Sequence, residues 1–295
     1  MQTILDIAIP AVAFLIMLVV GLDLTVQDFK RLARIPRVAI AAMLGQIVLL
    51  PAAAAVLVRT LPLKPHIATG LLLIAACPAG GLSNYYTYLA GANTALSVTL
   101  TAGSCLAALG TMPLVMVLYE AYLGQAADVQ LPATRLIGHL VLMLGLPVLI
   151  GMAVRRLYAD FAARHERAFR LVSVVGLAAL VGYVVFEEGA RVWDNVTETS
   201  VVGAAFVCAA MALGYLVGYL SGGGPGERFT LLIEFAVRNV AIATAMAVTV
   251  LGHIEFAALG AAYFLIEVPI LFAAVAWFRY VSARMLYLST EAPMS

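Results

Sequence analysis

Long apolar runs follow one another along almost the whole chain, separated by short polar segments. About 20 helical residues cross a bilayer core of roughly 30 Å, and no run shows the alternation of a strand. The pattern predicts an all-α integral membrane protein with about nine transmembrane helices. The predicted spans lie at about residues 3–22, 38–58, 66–90, 94–123, 133–154, 168–189, 199–220, 228–251 and 256–280.

Two of these runs carry polar residues in the middle. The first contains Cys-Pro-Ala-Gly-Gly-Leu-Ser-Asn at 77–84, and the second contains Glu-Phe-Ala-Val-Arg-Asn at 234–239. Proline and paired glycines weaken a helix, and a charge at membrane depth costs about 2.5–3.5 kcal/mol on insertion scales. Interrupted spans in both halves of a membrane protein point to the binding site of a transporter.

The basic residues concentrate on one side of the predicted topology. Segments 23–37 and 155–170, predicted as loops, are rich in arginine, whereas the opposite loops hold only Arg59, Lys64, Arg135 and Arg191, alongside six acidic residues. The positive-inside rule then places the N-terminus outside and the C-terminus in the cytoplasm, in the cell (inner) membrane. Met1 to Leu24 lacks a basic leader segment and an evident cleavage site, which predicts a first span rather than a removable signal.

Composition narrows the function classes. Of the residues, 64% are hydrophobic and 11% charged, with a net charge of +1, which predicts one membrane domain over 1–295 and no nucleic-acid partner. The three cysteines show no metal or disulfide spacing. No serine–histidine pair or paired carboxylates support an enzyme, and no organic cofactor is expected. A channel is disfavoured because the motifs suggest a closed binding site.

Spans two to four and seven to nine each have a polar interruption in the middle member. The interruptions end in Asn84 and Asn239. Because the two triplets would start on opposite sides of the membrane, the pattern predicts an inverted repeat.

Several polar side chains are candidates for the site. Glu234 and Arg238 are four residues apart on a helix and could pair, or Glu234 could bind a cation while Arg238 supplies fixed positive charge. Gln46 is either a ligand or an interhelical donor. Glu267 either pairs with Arg238 or carries a proton. Ser97 and Thr101 share one helix face.

At these residues the chain resembles the bile acid:sodium symporter family. The family pattern Cys-Pro-Gly-Gly followed by Ser-Asn is similar to 77–84, with Ala79 in place of the first glycine. Residues 88–98 are similar to the helix that follows, and 21–29 to an early loop. The similarity runs from about residue 15 to 270.

The resemblance implies two groups of helices. A panel domain would hold about 3–22, 133–154 and 168–189, and a core domain would hold about 38–123 and 199–280. The core would contain two discontinuous helices that cross behind a substrate cavity. The resemblance also implies one sodium site, formed by Ser83, Asn84, Ser97, Thr101 and Glu234.

A second sodium site of the family corresponds here to Gln46, Glu234, Phe235, Val237 and Arg238. A guanidinium cannot ligate sodium and would repel it by about 4 kcal/mol at 4 Å with an effective dielectric constant of 20. Arg238 is therefore expected to replace the second sodium with permanent positive charge.

The expected function is a secondary transporter that imports a small organic anion with one sodium ion by alternating access. Asn84, Arg238 and Asn239 are the expected substrate-binding residues, since a guanidinium can hold a carboxylate bidentately. The alternative is a proton-coupled or sodium-independent organic anion carrier of the same fold, with Glu267 as the candidate proton carrier. The substrate identity and oligomeric state stay open.

Overall fold

The structure is a computed structural model that describes residues 2–32, 37–123, 133–187 and 196–291. Apart from one isolated bridge, the regular structure in these ranges is helical. In chain order the α-helices are α1 (Gln2–Asp23), α2 (Val26–Leu32), α3 (Arg37–Thr60), α4 (Pro65–Ala76), α5 (Leu82–Ala90), α6 (Thr94–Leu123), α7 (Ala133–Leu140), α8 (Leu146–Leu157), α9 (Ala159–Glu187), α10 (Val196–Leu220), α11 (Pro225–Ala236), α12 (Val240–Thr249) and α13 (Glu255–Glu291). A π-helical turn, Val141–Gly145, joins α7 to α8.

Six helices in the described ranges are long and apolar enough to cross a membrane. They lie within Arg37–Thr60, Thr94–Tyr119, Leu136–Leu157, Arg167–Glu187, Thr197–Leu220 and Glu255–Arg284. Shorter apolar helices cover Ile9–Asp23, Pro65–Ala76 and Val240–Thr249, where three further spans were expected. The protein is thus an all-helical membrane protein, and the total of nine spans stays a prediction.

Two segments expected to be loops contain helix. α2 lies inside segment 23–37, and α8 and α9 cover 155–170 except for Tyr158. Tyr158 separates α8 from α9 with φ −132° and ψ 55°, so the chain changes direction at one residue, without a loop. The loop prediction was wrong because exposed charged residues such as Arg156 and Arg164 were interpreted as connecting sequence, whereas a polar helix exposes them equally well.

The first broken helix consists of α4 and α5 and is interrupted at 77–81. Pro78 has no backbone N–H, and Gly80 and Gly81 follow it, so the interruption occurs where the sequence weakens the helix. The Ala79 N–H in this segment donates a hydrogen bond to the Ser104 hydroxyl on α6 at 3.1 Å. A neighbouring helix therefore satisfies part of the freed backbone.

The second broken helix consists of α11 and α12 and is interrupted at 237–239. It contains neither proline nor glycine at the break. Its backbone instead pairs with the first break: the Gly80 N–H donates to the Val237 carbonyl, and the Asn239 N–H donates to the Pro78 carbonyl, each at 3.0 Å. Ala79 and Arg238 form the antiparallel bridge. The two discontinuous helices meet at their interruptions.

Glycine permits two close backbone approaches. A Cβ on Gly80 would lie 3.1 Å from the Arg238 carbonyl oxygen at the meeting of the two breaks. Between α1 and α8, a Cβ on Gly21 would lie 2.3 Å from the Val148 carbonyl oxygen, and one on Gly151 would lie 2.2 Å from that of Leu18. α1 also packs on α9 and α12, and α10 packs on α3, α11 and α13.

Candidate ion and substrate site

The described structure brings together all five side chains expected to form the sodium site. Glu234 is fully buried, and its Oε1 accepts a short hydrogen bond from the Ser97 hydroxyl. The Thr101 hydroxyl lies 3.3 Å from Oε1 and 3.4 Å from Oε2. Asn84 Oδ1 accepts from the Ser97 hydroxyl at 2.8 Å, and the Ser83 hydroxyl lies 3.3 Å from that of Thr101.

Three separate elements supply this cluster. Ser83 and Asn84 lie in the first turn of α5, just after the first break, and Glu234 lies in the last turn of α11, just before the second. Ser97 and Thr101 are one turn apart on α6, which packs against both. The cluster therefore lies where the ends of both broken helices meet α6.

Arg238 occupies the second break. Its Nη1 donates to Gln46 Oε1 at 3.3 Å, and its Nη2 donates a short hydrogen bond to the Cys77 carbonyl in the first break. Arg238 is 5% exposed, and its Nε has no hydrogen-bond partner among the described residues. The guanidinium thus takes up two oxygen atoms that would otherwise be free to bind a cation.

The other residues of the altered second site surround Arg238. Gln46 Nε2 is buried and has no hydrogen-bond partner in the described part of the chain. The Val237 carbonyl accepts from Gly80, and the buried ring of Phe235 packs so close to α3 that a Cβ on Gly45 would lie 2.7 Å from it. A void of about 20 Å³, enough for a single water, adjoins Gln46 and Arg238.

On the other side of the crossing lies a cavity of about 960 Å³. Its lining includes Gly80, Gly81 and Asn84 from the first broken helix and 237–241 from the second. Its walls are largely apolar and include tyrosines and phenylalanines. Its remaining polar lining is Asp23, Tyr85, Tyr86, Tyr88, Thr94, Arg155, Arg167, Ser173 and Glu267.

All three residues expected to bind substrate line this cavity. Asn84 shares its side-chain oxygen with the cluster around Glu234, so the two sites are in direct contact. Asn239 is 4% exposed; its Oδ1 caps α12 by accepting from the Ile242 N–H at 3.1 Å, and its Nδ2 lies 3.3 Å from the Met17 sulfur. Its position at the start of α12 adds the partial positive charge of a helix N-terminus.

Glu267 on α13 is buried and lines the same cavity. Neither carboxyl oxygen has a hydrogen-bond partner in the described ranges. One turn earlier, the Tyr263 hydroxyl donates a short hydrogen bond to the Ala236 carbonyl at the end of α11. Sequence reasoning missed Tyr263, because a lone tyrosine in an apolar span carries no distinguishing signal.

Arg155 and Arg167 at the cavity were also missed as site residues. Arg155 donates to the Leu22 carbonyl at 2.9 Å, which ties the end of α8 to the end of α1. From the sequence, the two arginines were used only as part of the charge bias that predicts the orientation in the membrane. Their place in the cavity lining could have been suspected from their position at span ends flanking the predicted panel helices.

Known proteins share this sequence pattern. Residues 10–195 match the family described as the Sodium Bile acid symporter family. Over 238 residues the chain is 32% identical to the "Uncharacterized sodium-dependent transporter YocS" of Bacillus subtilis (strain 168). The matched region covers 79% of this chain and 71% of that protein.

Two further relatives are more distant. The "Probable sodium/metabolite cotransporter BASS1, chloroplastic" of Arabidopsis thaliana is 26% identical over 80% of this chain and 58% of its own length. The human "Ileal sodium/bile acid cotransporter" is 26% identical over 75% of this chain and 63% of its own length. The chain thus spans about three fifths of these two proteins.

The helical fold, the crossing of two broken helices and the relatives together define a secondary transporter of the membrane, not an enzyme. The chain belongs to the Sodium Bile acid symporter family.

Proposed function

We propose that this protein imports a small organic anion together with one sodium ion, and that Arg238 takes the place of a second sodium. The convergence of Ser83, Asn84, Ser97 and Thr101 on the buried carboxyl of Glu234 carries the proposal. Carboxylate, amide and hydroxyl oxygens are the ligands that hard cations prefer. As the transported ion, sodium would draw these oxygens around itself and hold the two breaks together.

The count of buried charges supports one coupling cation. Beside the two breaks and the cavity, the buried charged side chains in the described ranges are Glu234, Glu267 and Arg238. Asp28 is buried as well, but it lies on α2, where it accepts hydrogen bonds from Thr25. With all three ionised their sum is −1, so one monovalent cation neutralises the group. Two would leave an uncompensated positive charge, which is costly away from water.

The cavity supports an organic anion as the substrate. A substrate there would meet Arg238, the N-terminal end of α12 capped by Asn239, and the amide of Asn84. The cluster around Glu234 shares Asn84 with this cavity, so an ion bound to the cluster would fix a substrate ligand in place. This shared residue is a physical route for coupling ion binding to substrate binding.

The predicted topology assigns the cavity to one side of the membrane. Its lining includes Asp23, Tyr88 and Arg155, which all lie at helix ends predicted to face the cytoplasm. If the N-terminus lies outside the inner membrane, as the charge bias predicts, the cavity would open to the cytoplasm, as expected for an inward-open state. Alternating access would then move the helices of the proposed panel, α1 and α7–α9, relative to the remaining core helices.

The test is the thermal stability of the purified protein in sodium chloride against choline chloride, for wild type and Arg238→Gln. Wild type is expected to gain stability with sodium as RT ln(1 + [Na⁺]/Kd). Arg238→Gln frees Gln46 Oε1 and the Cys77 carbonyl, so its response is expected to be larger and steeper. Silence in both folded proteins would refute sodium coupling.

A proton-coupled or sodium-independent carrier is the second candidate, favoured by the two unpartnered carboxyl oxygens of Glu267. If Glu267 carries the coupled proton, uptake into proteoliposomes follows an imposed pH gradient in choline buffer and is lost in Glu267→Gln. A response only in the Arg238→Gln variant to sodium would also support this candidate, because the arginine would then have displaced the coupling ion itself.

A further inference from the structure

Arg238 and Glu267 have complementary unsatisfied atoms. The Nε–H of Arg238 is a donor without an acceptor, and both carboxyl oxygens of Glu267 are acceptors without a donor, among the residues that the structure describes. Both side chains are buried, at 5% and 1% exposed, and both line the same cavity. A buried charge left without a partner is strongly unfavourable.

Tyr263 fixes the distance between the two elements that carry them. Its hydroxyl is bonded to the Ala236 carbonyl, two residues before Arg238. Glu267 is four residues after Tyr263 on α13, so the two side chains share a helix face and are about 6 Å apart along the axis. Glu267 thus lies on a helix that is tied to the end of α11, next to the second break.

The two carboxyl groups of the site have different surroundings. Glu234 receives hydrogen bonds from Ser97 and Thr101, whereas Glu267 receives none in the described ranges. The hydroxyl-rich cluster can exchange its donors for a sodium ion. In the described ranges, Glu267 accepts no hydrogen bond from such a set, and Arg238 is the buried cation of the second break.

We propose that Glu267 is the counter-charge that holds Arg238 in the second break, so that the two form an internal ion pair in place of a second sodium. This inference rests on the proposed function for the role of Arg238 and adds a positioning residue to it. The transported sodium then neutralises Glu234, and the guanidinium of Arg238 neutralises Glu267. Each of these two buried carboxylates thus has one cation.

A double-mutant cycle tests the pair in choline chloride, without sodium or substrate. Glu267→Gln in the otherwise wild-type chain leaves Arg238 without its counter-charge and is expected to lower Tm by about 5–10 °C. In the Arg238→Gln background the same change is expected to leave Tm unchanged or to raise it, because it removes a carboxylate that has no partner. Glu267→Asp keeps the charge and is expected to recover part of the loss.

Equal Tm losses from Glu267→Gln in both backgrounds would overturn the pair, and so would the absence of any loss in the wild-type background. If Glu267→Gln alone does not fold, the comparison of Arg238→Gln with the double variant decides, since a large further loss there contradicts the proposal. Glu255→Gln, at the start of the same helix and partly exposed, is the matched control and is expected to show no dependence on residue 238.

The cycle and the sodium test fail separately. The cycle is measured without sodium, so a lack of coupling between positions 238 and 267 would refute the pair. The sodium response of Arg238→Gln would still test the proposed function independently. Conversely, a coupled pair in a protein that ignores sodium would sustain the counter-charge while refuting the proposed function.

Discussion

Glu234 and Arg238 are four residues apart, yet their surroundings have opposite chemistry. Around Glu234, four neutral side chains present oxygen atoms whose partners are mostly one another. Around Arg238, the available oxygens of Gln46 and Cys77 already accept hydrogen bonds from the guanidinium. One position can exchange its donors for an ion, and the other carries its cation covalently.

Under the proposed function, this difference means that one side chain sets the number of ions that the transporter carries. A mobile cation binds and leaves, so its concentration gradient can drive transport. A guanidinium supplies the same charge at all times and contributes no driving force. Four substitutions would break or sharpen this comparison.

The largest effect is expected for Glu234→Gln. It keeps the shape but removes the charge, which at 4 Å and an effective dielectric constant of 20 is worth about 4 kcal/mol, or about 1,000-fold in sodium affinity. Sodium-dependent stabilisation and sodium-driven uptake should both disappear. Glu187→Gln, at the exposed end of α9, is the control and should retain both; an unchanged sodium response in Glu234→Gln would rule out this cluster as the ion site.

Gly80→Ala separates the two positions mechanically. The added Cβ would lie 3.1 Å from the Arg238 carbonyl oxygen and 3.2 Å from a Val237 methyl group, so the breaks must move apart. We expect a loss of about 1–3 kcal/mol in stability, read as a lower midpoint of thermal unfolding. Gly110→Ala, where a Cβ meets nothing within 4 Å, should not lower the midpoint; equal effects of both would contradict the close crossing.

Ser97→Ala tests the oxygen cluster more gently. Loss of one of the oxygen ligands is expected to raise the sodium concentration for half-maximal stabilisation by about tenfold, or about 1.4 kcal/mol. Thr87→Ala is the matched neighbour, because in the described part of the chain the Thr87 hydroxyl donates to the Ser97 hydroxyl at 3.4 Å and not to Glu234. A larger shift for Thr87→Ala than for Ser97→Ala would argue against Ser97 as a ligand.

Arg238→Lys should change the sodium response least. Lysine keeps the positive charge, so the half-maximal sodium concentration is expected to stay within about twofold. It lacks the guanidinium that donates to both Gln46 and Cys77, so those two hydrogen bonds are not retained together. Titration of unfolding temperature against sodium checks this. If the lysine variant gained the same steep response as Arg238→Gln, ligand geometry rather than charge would explain the second position.

The first break could be predicted from the chain itself, whereas the second could not. Pro78 and the following glycines weaken a helix locally, but 237–239 contain only residues that a helix tolerates. That break is stabilised by backbone partners distant in sequence, Pro78 and Gly80, and by the side chain of Asn239, which caps α12. The charge of Arg238 drew attention to the segment without determining its backbone conformation.

The candidate site divides in a similar way. Periodicity alone placed Ser97 and Thr101 on one face, but their convergence with Ser83 and Glu234 came from resemblance to a family and is met in the structure. Their role as sodium ligands stays a prediction. Tyr263 and the arginines of the cavity were missed because their importance depends on tertiary neighbours, which spacing along one helix does not reveal.

The glycine contacts between α1 and α8 have a mechanical consequence. At Gly21 and Gly151 the two backbones touch without intervening side chains, so a sliding motion between these helices would drive carbonyl oxygens into Cα atoms. We therefore expect α1 and α8 to move together, as one rigid unit, in any motion that exposes the cavity to the opposite side of the membrane. In the proposed alternating access, the two groups of helices would therefore slide along the contacts of α1 with α12, of α9 with α13 and of α7 with α6.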